Sequence, residues 1–328
     1  MSGIYKMKHL FYTATAAVLL LAGCKKIDEG YLSDGIYYSD SPILVERGIA
    51  FQKTAALSMD GTTVPITVKL LDIRKVGTGK RAEEFFKEYP VYVYKEAVDP
   101  DVDTTIEQVN AKRELKNMQP FQFLSSGQFV FNGATDSLPV DTDYEFDIEV
   151  SNVAGVRTYK NVGIIHTMDG ERYTINAQGN NAFQDFTGTV VPIGNPKITI
   201  TAVSDTGHHA ILKIVDEDGK PFNPKNGEII KRGDRPTFEN YARFHPIVNT
   251  DTSMICNFEI TPFPIKKIPT YNFLMYYRVP SQFITLSPSI PGLDPKTGYS
   301  ANPLFEFHIK KAGTYVIEIR LLKVKKKG

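Results

Sequence analysis

The chain has no tryptophan, only two cysteines and almost no excess of either charge: 38 Lys and Arg stand against 37 Asp and Glu in 328 residues, a net of +1. Near-zero net charge supplies no global field to recruit nucleic acid or an acidic polymer, so no nucleic-acid partner is expected. With so few cysteines, stability must come from packing rather than a disulfide framework. The absent tryptophan removes the best flat platform for stacking on a sugar ring. Catalytic signatures are missing as well: there is no G-x-S-x-G elbow, phosphate loop or H-E-x-x-H. Gly77-Thr78-Gly79-Lys80 has a glycine pair and a lysine without the rest of either nucleotide fingerprint. No catalytic residue is assigned, no cofactor is expected beyond a candidate calcium, and the protein is read as a non-enzyme.

The strongest positive signal lies at the N-terminus. Lys6, Lys8 and His9 precede an apolar run from Leu10 to Ala22 that closes on Leu21-Ala22-Gly23-Cys24. That run is shorter than the roughly 20 residues of a membrane-spanning helix and suits a signal-peptide core cleaved after a small residue. It reads as a lipoprotein signal, residues 1–23, with Cys24 as the lipidated first residue and the membrane as a partner through its acyl chains. Residues 24–40 read as a charged, glycine-containing tether. Cys256, in Met254-Ile255-Cys256-Asn257-Phe258, is then left without a partner and is expected as a small buried apolar residue.

The body of the chain points to sheet. Phe, Tyr, Val, Ile and Thr fall in short runs between Gly and Pro breakers. From Asp143 to Ser151, Tyr144, Phe146, Ile148 and Val150 alternate with polar residues, as in a strand with one dry face. Val64, Ile66, Val68 and Leu70 predict a second strand. Phe305, Phe307 and Ile309 predict a third, turned by Lys311-Ala312-Gly313 into Thr314–Val324 as a terminal hairpin. Residues 156–166, 198–203 and 210–215 add further strands, and Asp218-Gly219 a tight turn. The lysines at 323 and 325–327 read as a solvated end.

Helical signal is confined to Ala82–Glu88 and to Thr104–Met118, the latter with Thr104 or Thr105 as N-cap. The resulting expectation is a mainly β protein of two tandem β-sandwich domains, immunoglobulin-like or jelly-roll-like, with one or two short helices inserted in the first. The boundaries are 41–166 for the N-terminal domain and 167–328 for the C-terminal domain. Pro262, Pro264, Pro269, Pro280, Pro288, Pro291 and Pro295 should hold part of the latter as long, ordered surface loop.

Three groups of residues offer chemistry. Asp99, Asp101 and Asp103 alternate in a loop, as carboxylates that hold a structural calcium do. Thr104 and Asn110 stand where a helix-loop-helix site needs glycine and glutamate, so a solvated turn capping the next helix is the alternative. Tyr271, Phe273, Tyr276, Tyr277 and Arg278, with Tyr241 and Phe244 as a second cluster, place rings on both faces of an extended segment. One set should face outward to stack on a glycan, and the other should be core. Asp136-Ser137-Leu138 and Asp103-Thr104-Thr105 fit an O-glycosylation acceptor pattern at Ser137 and Thr104.

The signal and tether, followed by Ile49-Ala50-Phe51 and the run Leu57–Val68, resemble the opening of surface lipoproteins that accompany SusC/SusD-type nutrient uptake systems in Bacteroidetes. Val98–Thr104, Phe123–Phe129 and Ser151–Gly155 resemble an uncharacterised Bacteroides lipoprotein family of similar length. Lys26-Ile27-Asp28-Glu29 is similar to the surface-export signal of that phylum, with Ile27 interrupting it. The resemblance implies a protein lipid-anchored on the extracellular face of the outer membrane, a non-catalytic accessory that captures or presents glycan to a SusC/SusD-like uptake complex. A structural or protein-binding subunit of such an assembly is the alternative, and a divergent hydrolase the third reading.

Overall fold

The computed structural model describes residues 30–294 and 297–328. Cys24 and the signal preceding it lie outside the described residues, as do residues 24–29 of the expected tether. The protein is mainly β and of sandwich type. By contact it divides into two units, one running to Tyr89 and resuming over Met118–Met168, the other comprising Pro90–Asn117 and Asp169–Gly328. Of the two helices that the sequence assigns to the first domain, the one near residue 85 stays with the first unit and the one after Thr105 groups with the second.

In the first unit the alternating segment forms the strand Thr142–Asn152, which folds back antiparallel on Gly155–Met168. Thr67–Lys75 pairs on its other side, and Ile43–Glu46 adds a parallel edge. The second of these strands begins at Thr67 rather than Val64, which is exposed. Tyr144, Phe146, Ile148 and Val150 all point into the core, where they meet Phe121, Phe129 and Phe131 from a three-stranded sheet built of Phe51–Lys53, Phe121–Phe123 and Phe129–Asn132. The residues expected as tether are partly structural. Ser33, Ile36 and Tyr38 are buried, Tyr37–Tyr38 pairs with Leu57–Ser58, and the Tyr38 ring sits edge-on to Phe146 at 5.1 Å. Tyr and Ile in a polar sequence bury apolar area that an exposed tether would waste.

One residue breaks the alternation. Asp147 is buried beside Phe146 and Ile148 because the register slips there, a bulge that turns its carboxylate inward. Arg74 answers it with a two-point contact, Nη1 to Oδ2 at 2.9 Å and Nη2 to Oδ1 at 2.7 Å, and the Asn161 N–H donates to Oδ1 at 2.8 Å. The Arg74 hydrogen bond foremost, then the Asn161 N–H, hold the carboxyl below the usual range despite its burial. A depressed folded pKa stabilises above the unfolded value of about 4 and the benefit is lost as pH falls through the folded value. Asp147→Asn should therefore destabilise the first unit by about 1–3 kcal/mol at pH 6 and lose less between pH 6 and pH 3 than the parent. Denaturant melts at the two pH values check this; an equal acid loss in both proteins would show that Asp147 is not the titrating group.

The second unit has two five-stranded sheets around one core. In the first, the order is Val190–Pro192, Tyr173–Gln184, Tyr299–Ile309, Met275–Arg278, Ile230–Lys231. In the other it is Lys197–Ser204, Gly313–Arg320, His208–Val215, Met254–Asn257, Val248–Asn249, with Gly313–Arg320 parallel to His208–Val215. Phe305, Phe307 and Met275 from one sheet and Tyr315, Ile317, Leu212 and Cys256 from the other belong to a single buried cluster. Burial pushes the Cys256 thiol up to about 12, which keeps it unreactive.

Four expectations change here. Lys311-Ala312-Gly313 does not close a hairpin: the chain passes from one sheet to the other, so Tyr299–Ile309 and Gly313–Arg320 have different partners. The helix at Thr104–Met118 is shorter, Ile106–Ala111, capped by Thr105 with Gln108 completing a capping box; Arg113–Met118 is a strand that pairs with Tyr89–Tyr94. The Pro-rich stretch is not all loop, because Met275–Arg278 lies inside a sheet, free of proline over its whole length. The lysine tail is not fully solvated: Val324–Lys326 pairs with Ile284–Leu286, and Lys326 is tied to buried Glu228.

Candidate functional site

The residues with the most binding chemistry collect on the outer face of the sheet that contains Met275–Arg278. On that strand Met275 and Tyr277 are buried while Tyr276 and Arg278 face out, the period of two that any strand imposes. Tyr277 is core: its hydroxyl accepts the Phe238 N–H at 2.9 Å and donates to Glu239 at 3.1 Å. Burial, then the Glu239 carboxylate, raise its pKa well above the ordinary phenol value. Tyr241 is also core, and its hydroxyl donates to the carbonyls of Asn272 and Leu274 at 3.2 and 2.9 Å. These two expected platform residues are therefore corrected to structural ones, with Tyr241 pinning the loop that carries Tyr271. In that loop Thr270 and Asn272 hold positive φ of 71° and 53°, a conformation a β-branched residue keeps only where its surroundings enforce it.

Tyr276 is flanked by cations. After Lys231 pairs with Tyr277, the chain makes a tight turn, Arg232-Gly233-Asp234-Arg235, and returns so that the Tyr276 N–H donates to the Pro236 carbonyl at 2.8 Å. Gly233 occupies the first central position at φ +60°, as a II′ turn requires, and the Arg235 N–H reaches the Arg232 carbonyl at 3.4 Å. The ends of such a turn lie close together, so both guanidiniums come to the same ring: Arg232 at 5.9 Å and Arg235 at 5.7 Å from the Tyr276 centroid. Arg278, two residues along the strand, stacks at 4.4 Å over Phe183 and donates from Nε to Asn302 at 3.0 Å. Burial, then Arg235 and Arg278, lower the pKa of Arg232.

The platform continues along the same face of Tyr299–Ile309. Tyr271 meets Tyr276 edge-on at 5.7 Å, and Phe273 meets His308 at 4.6 Å with Lys267 at 5.9 Å from its ring. From Asn302 to His308 the strand advances roughly 20 Å at the usual rise, so rings and cations line a strip rather than a single pocket. Two carboxylates of this sheet are occupied: Glu306 by His308 at 3.1 Å, Asp185 by Ser300 and Ser281. Phe244 is half-buried away from these ring contacts.

The three aspartates do not converge. Asp103 is buried, ion-paired with Lys112 at 2.8 Å and accepting the Asp99 N–H at 2.7 Å; Asp99 accepts the Asp101 N–H at 2.9 Å; Asp101 turns to Lys266. Hydrogen bonds from Lys112 and Lys266 hold Asp103 and Asp101, respectively, below the usual carboxylate range. The geometry is that of a turn before a capped helix, and among the described residues no three His, Cys, Asp or Glu side chains are grouped to hold an ion. Ser137 is exposed at the end of a single 3-10 turn, and Thr104 is exposed with its N–H donated to Gln108.

Sequence reasoning missed Arg232, Arg235, Phe183 and Asn302. The R-G-D-R turn was the one local signal, since glycine between two arginines can fold them onto one side. It also missed a hollow of about 290 Å³ in the second unit, lined by Tyr94, Val98, Pro100, Ile260, Pro262 and Ile265. That hollow is mostly apolar, with Glu96 as its one charged lining residue. No protein-family model, curated protein or solved structure matches this chain.

Proposed function

We propose that this protein is a non-catalytic glycan-capturing accessory, lipid-anchored through Cys24 on the outer-membrane surface and presenting sugar to a SusC/SusD-like uptake complex. The observation that carries the glycan part is the outward Tyr276, backed by Tyr271 and bracketed by arginines on a rigid strand. A ring of this kind stacks on the apolar face of a pyranose, and guanidinium and amide groups beside it read hydroxyls. A site on a strand rather than a free loop loses little order on binding. The anchor and its address rest on the N-terminal signal.

Tyr276→Ala and Tyr277→Ala separate the platform from the core. Tyr276→Ala should reduce glycan retention at least tenfold while shifting stability by no more than about 0.5 kcal/mol, as surface truncations do. Tyr277→Ala should destabilise the second unit by about 3–5 kcal/mol. A glycan array on the soluble body, followed by affinity electrophoresis of the variants, provides the measurement. Retention unchanged by Tyr276→Ala, or no retention by the parent protein, would end this reading.

A second reading, a protein-binding subunit, is favoured by Phe186, which stands 92% exposed at a turn tip. Such a ring is a natural anchor for a partner pocket. Loss of complex assembly in Phe186→Ser with glycan retention intact would select it.

A further inference from the structure

Among the described residues neither Arg232, Arg235 nor Arg278 forms an ion pair, whereas Arg74, Arg157, Arg172 and Arg320 each do. Guanidiniums on one sheet face repel one another, as Arg235 and Arg278 do Arg232, and an anion placed among them would relieve that repulsion. Asp234 sits between two of them in sequence, is exposed at the turn, and among the described residues forms no ion pair with either. Glu306, on the same face, is turned to His308.

A second observation points the same way. Asn302 is fully buried under Arg278, its Oδ1 accepts the Arg278 Nε, and its Nδ2 has no hydrogen-bond partner; Asn181, its register neighbour, has an unpartnered Oδ1. Buried polar groups are satisfied in the great majority of cases, and each unsatisfied one costs about 1–3 kcal/mol. Asn302 ties the Arg278 Nε while the guanidinium stacks over Phe183, and Arg278 lies close enough to Arg232 to help lower its pKa. The guanidinium fork matches the two oxygens of a carboxylate or the oxygens of a sulfate, while the Tyr276 ring lies where the sugar bearing that group would stack.

Resting on the glycan reading above, we propose that the platform selects acidic glycans, with Arg232, Arg235 and Arg278 receiving the carboxylate or sulfate of a sugar that stacks on Tyr276. Neutral sugars would meet the ring but leave the guanidiniums uncompensated. Recognition of this kind weakens as salt rises, because part of it is Coulombic attraction at a solvent-facing site.

Matched polymers test it on the soluble body by isothermal titration and affinity electrophoresis. One arm compares polygalacturonate with its fully methyl-esterified form, the other dextran sulfate with dextran, and poly-glutamate serves as a polyanion without sugar. Binding of one or both charged glycans at least tenfold tighter than their neutral counterparts and than poly-glutamate is the expected result; the arm that responds identifies the anion. Arg235→Gln, at an exposed turn position, should cut that binding about tenfold with an unchanged melt, while Lys225→Gln, away from the platform, should not. Equal binding of charged and neutral forms would overturn the acidic preference and leave the glycan platform standing. Poly-glutamate binding as tight as the charged glycans, or indifference to Arg235→Gln, would also overturn the proposal, and an absence of binding to every glycan would remove the underlying reading with it.

Discussion

Phe129→Ala is expected to lower the unfolding free energy of the first unit by about 3–5 kcal/mol, the range for deleting a fully buried aromatic. Phe129 is unexposed and sits where the three-stranded and four-stranded sheets meet: its ring is stacked on Phe131 at 5.5 Å, edge-on to Phe146 at 5.0 Å and edge-on to Phe123 at 4.8 Å. Removing it opens a void that strands on both sides cannot close without losing register. Phe129→Leu, which keeps most of the volume, should cost markedly less. Chemical denaturation read at the transition of this unit gives the comparison, and equal small losses in both variants would show that the core relaxes freely there.

Lys326→Met should be comparably damaging in the second unit. Lys326 lies on the last strand, and its Nζ reaches Glu228 at 2.5 Å and the Pro221 carbonyl at 3.0 Å, while its side chain is 16% exposed and that of Glu228 9%. Methionine keeps the apolar stem and removes the charge, leaving a buried carboxylate that must be solvated by the Asn223 N–H alone. Breaking a buried pair from one side costs about 3–5 kcal/mol, whereas removing both charges is far milder. The double variant Lys326→Met/Glu228→Gln should therefore recover most of the loss in a denaturant midpoint. A single variant as stable as the parent would mean that the Glu228 charge is not buried in solution.

Where the sequence carried enough information, it did so through periodicity. The alternation of Tyr144, Phe146, Ile148 and Val150 marks a half-buried strand, and the opposed faces of Tyr276 and Tyr277 follow from the same period of two. Periodicity says nothing about which strand lies beside which, so the turn at Lys311-Ala312-Gly313 read as a hairpin when it is a passage between sheets. Proline density likewise hid the strand Met275–Arg278, because four residues free of proline suffice for an internal strand. Asp147 broke a local rule and was recoverable only with Arg74, 73 residues away. The arginine platform was hidden for an electrostatic reason: a net charge of +1 averages the whole chain, while Arg232, Arg235 and Arg278 are brought together by a turn and a strand pairing. Of the seven aromatic and arginine residues singled out for binding, the ones that face outward could not be told from Tyr241 and Tyr277 without the sheet.

The passage between sheets bears on when this unit can take shape. Tyr299–Ile309 and Gly313–Arg320 are interior strands, each with a neighbour on both sides. Until they arrive, Tyr173–Gln184 and Met275–Arg278 have no common partner, and neither have Lys197–Ser204 and His208–Val215. Such non-local pairing folds slowly. Tyr299–Ile309 and Gly313–Arg320 are thus the closing stitch of the second unit, and neither five-stranded sheet is continuous until the corresponding strand has found both of its neighbours.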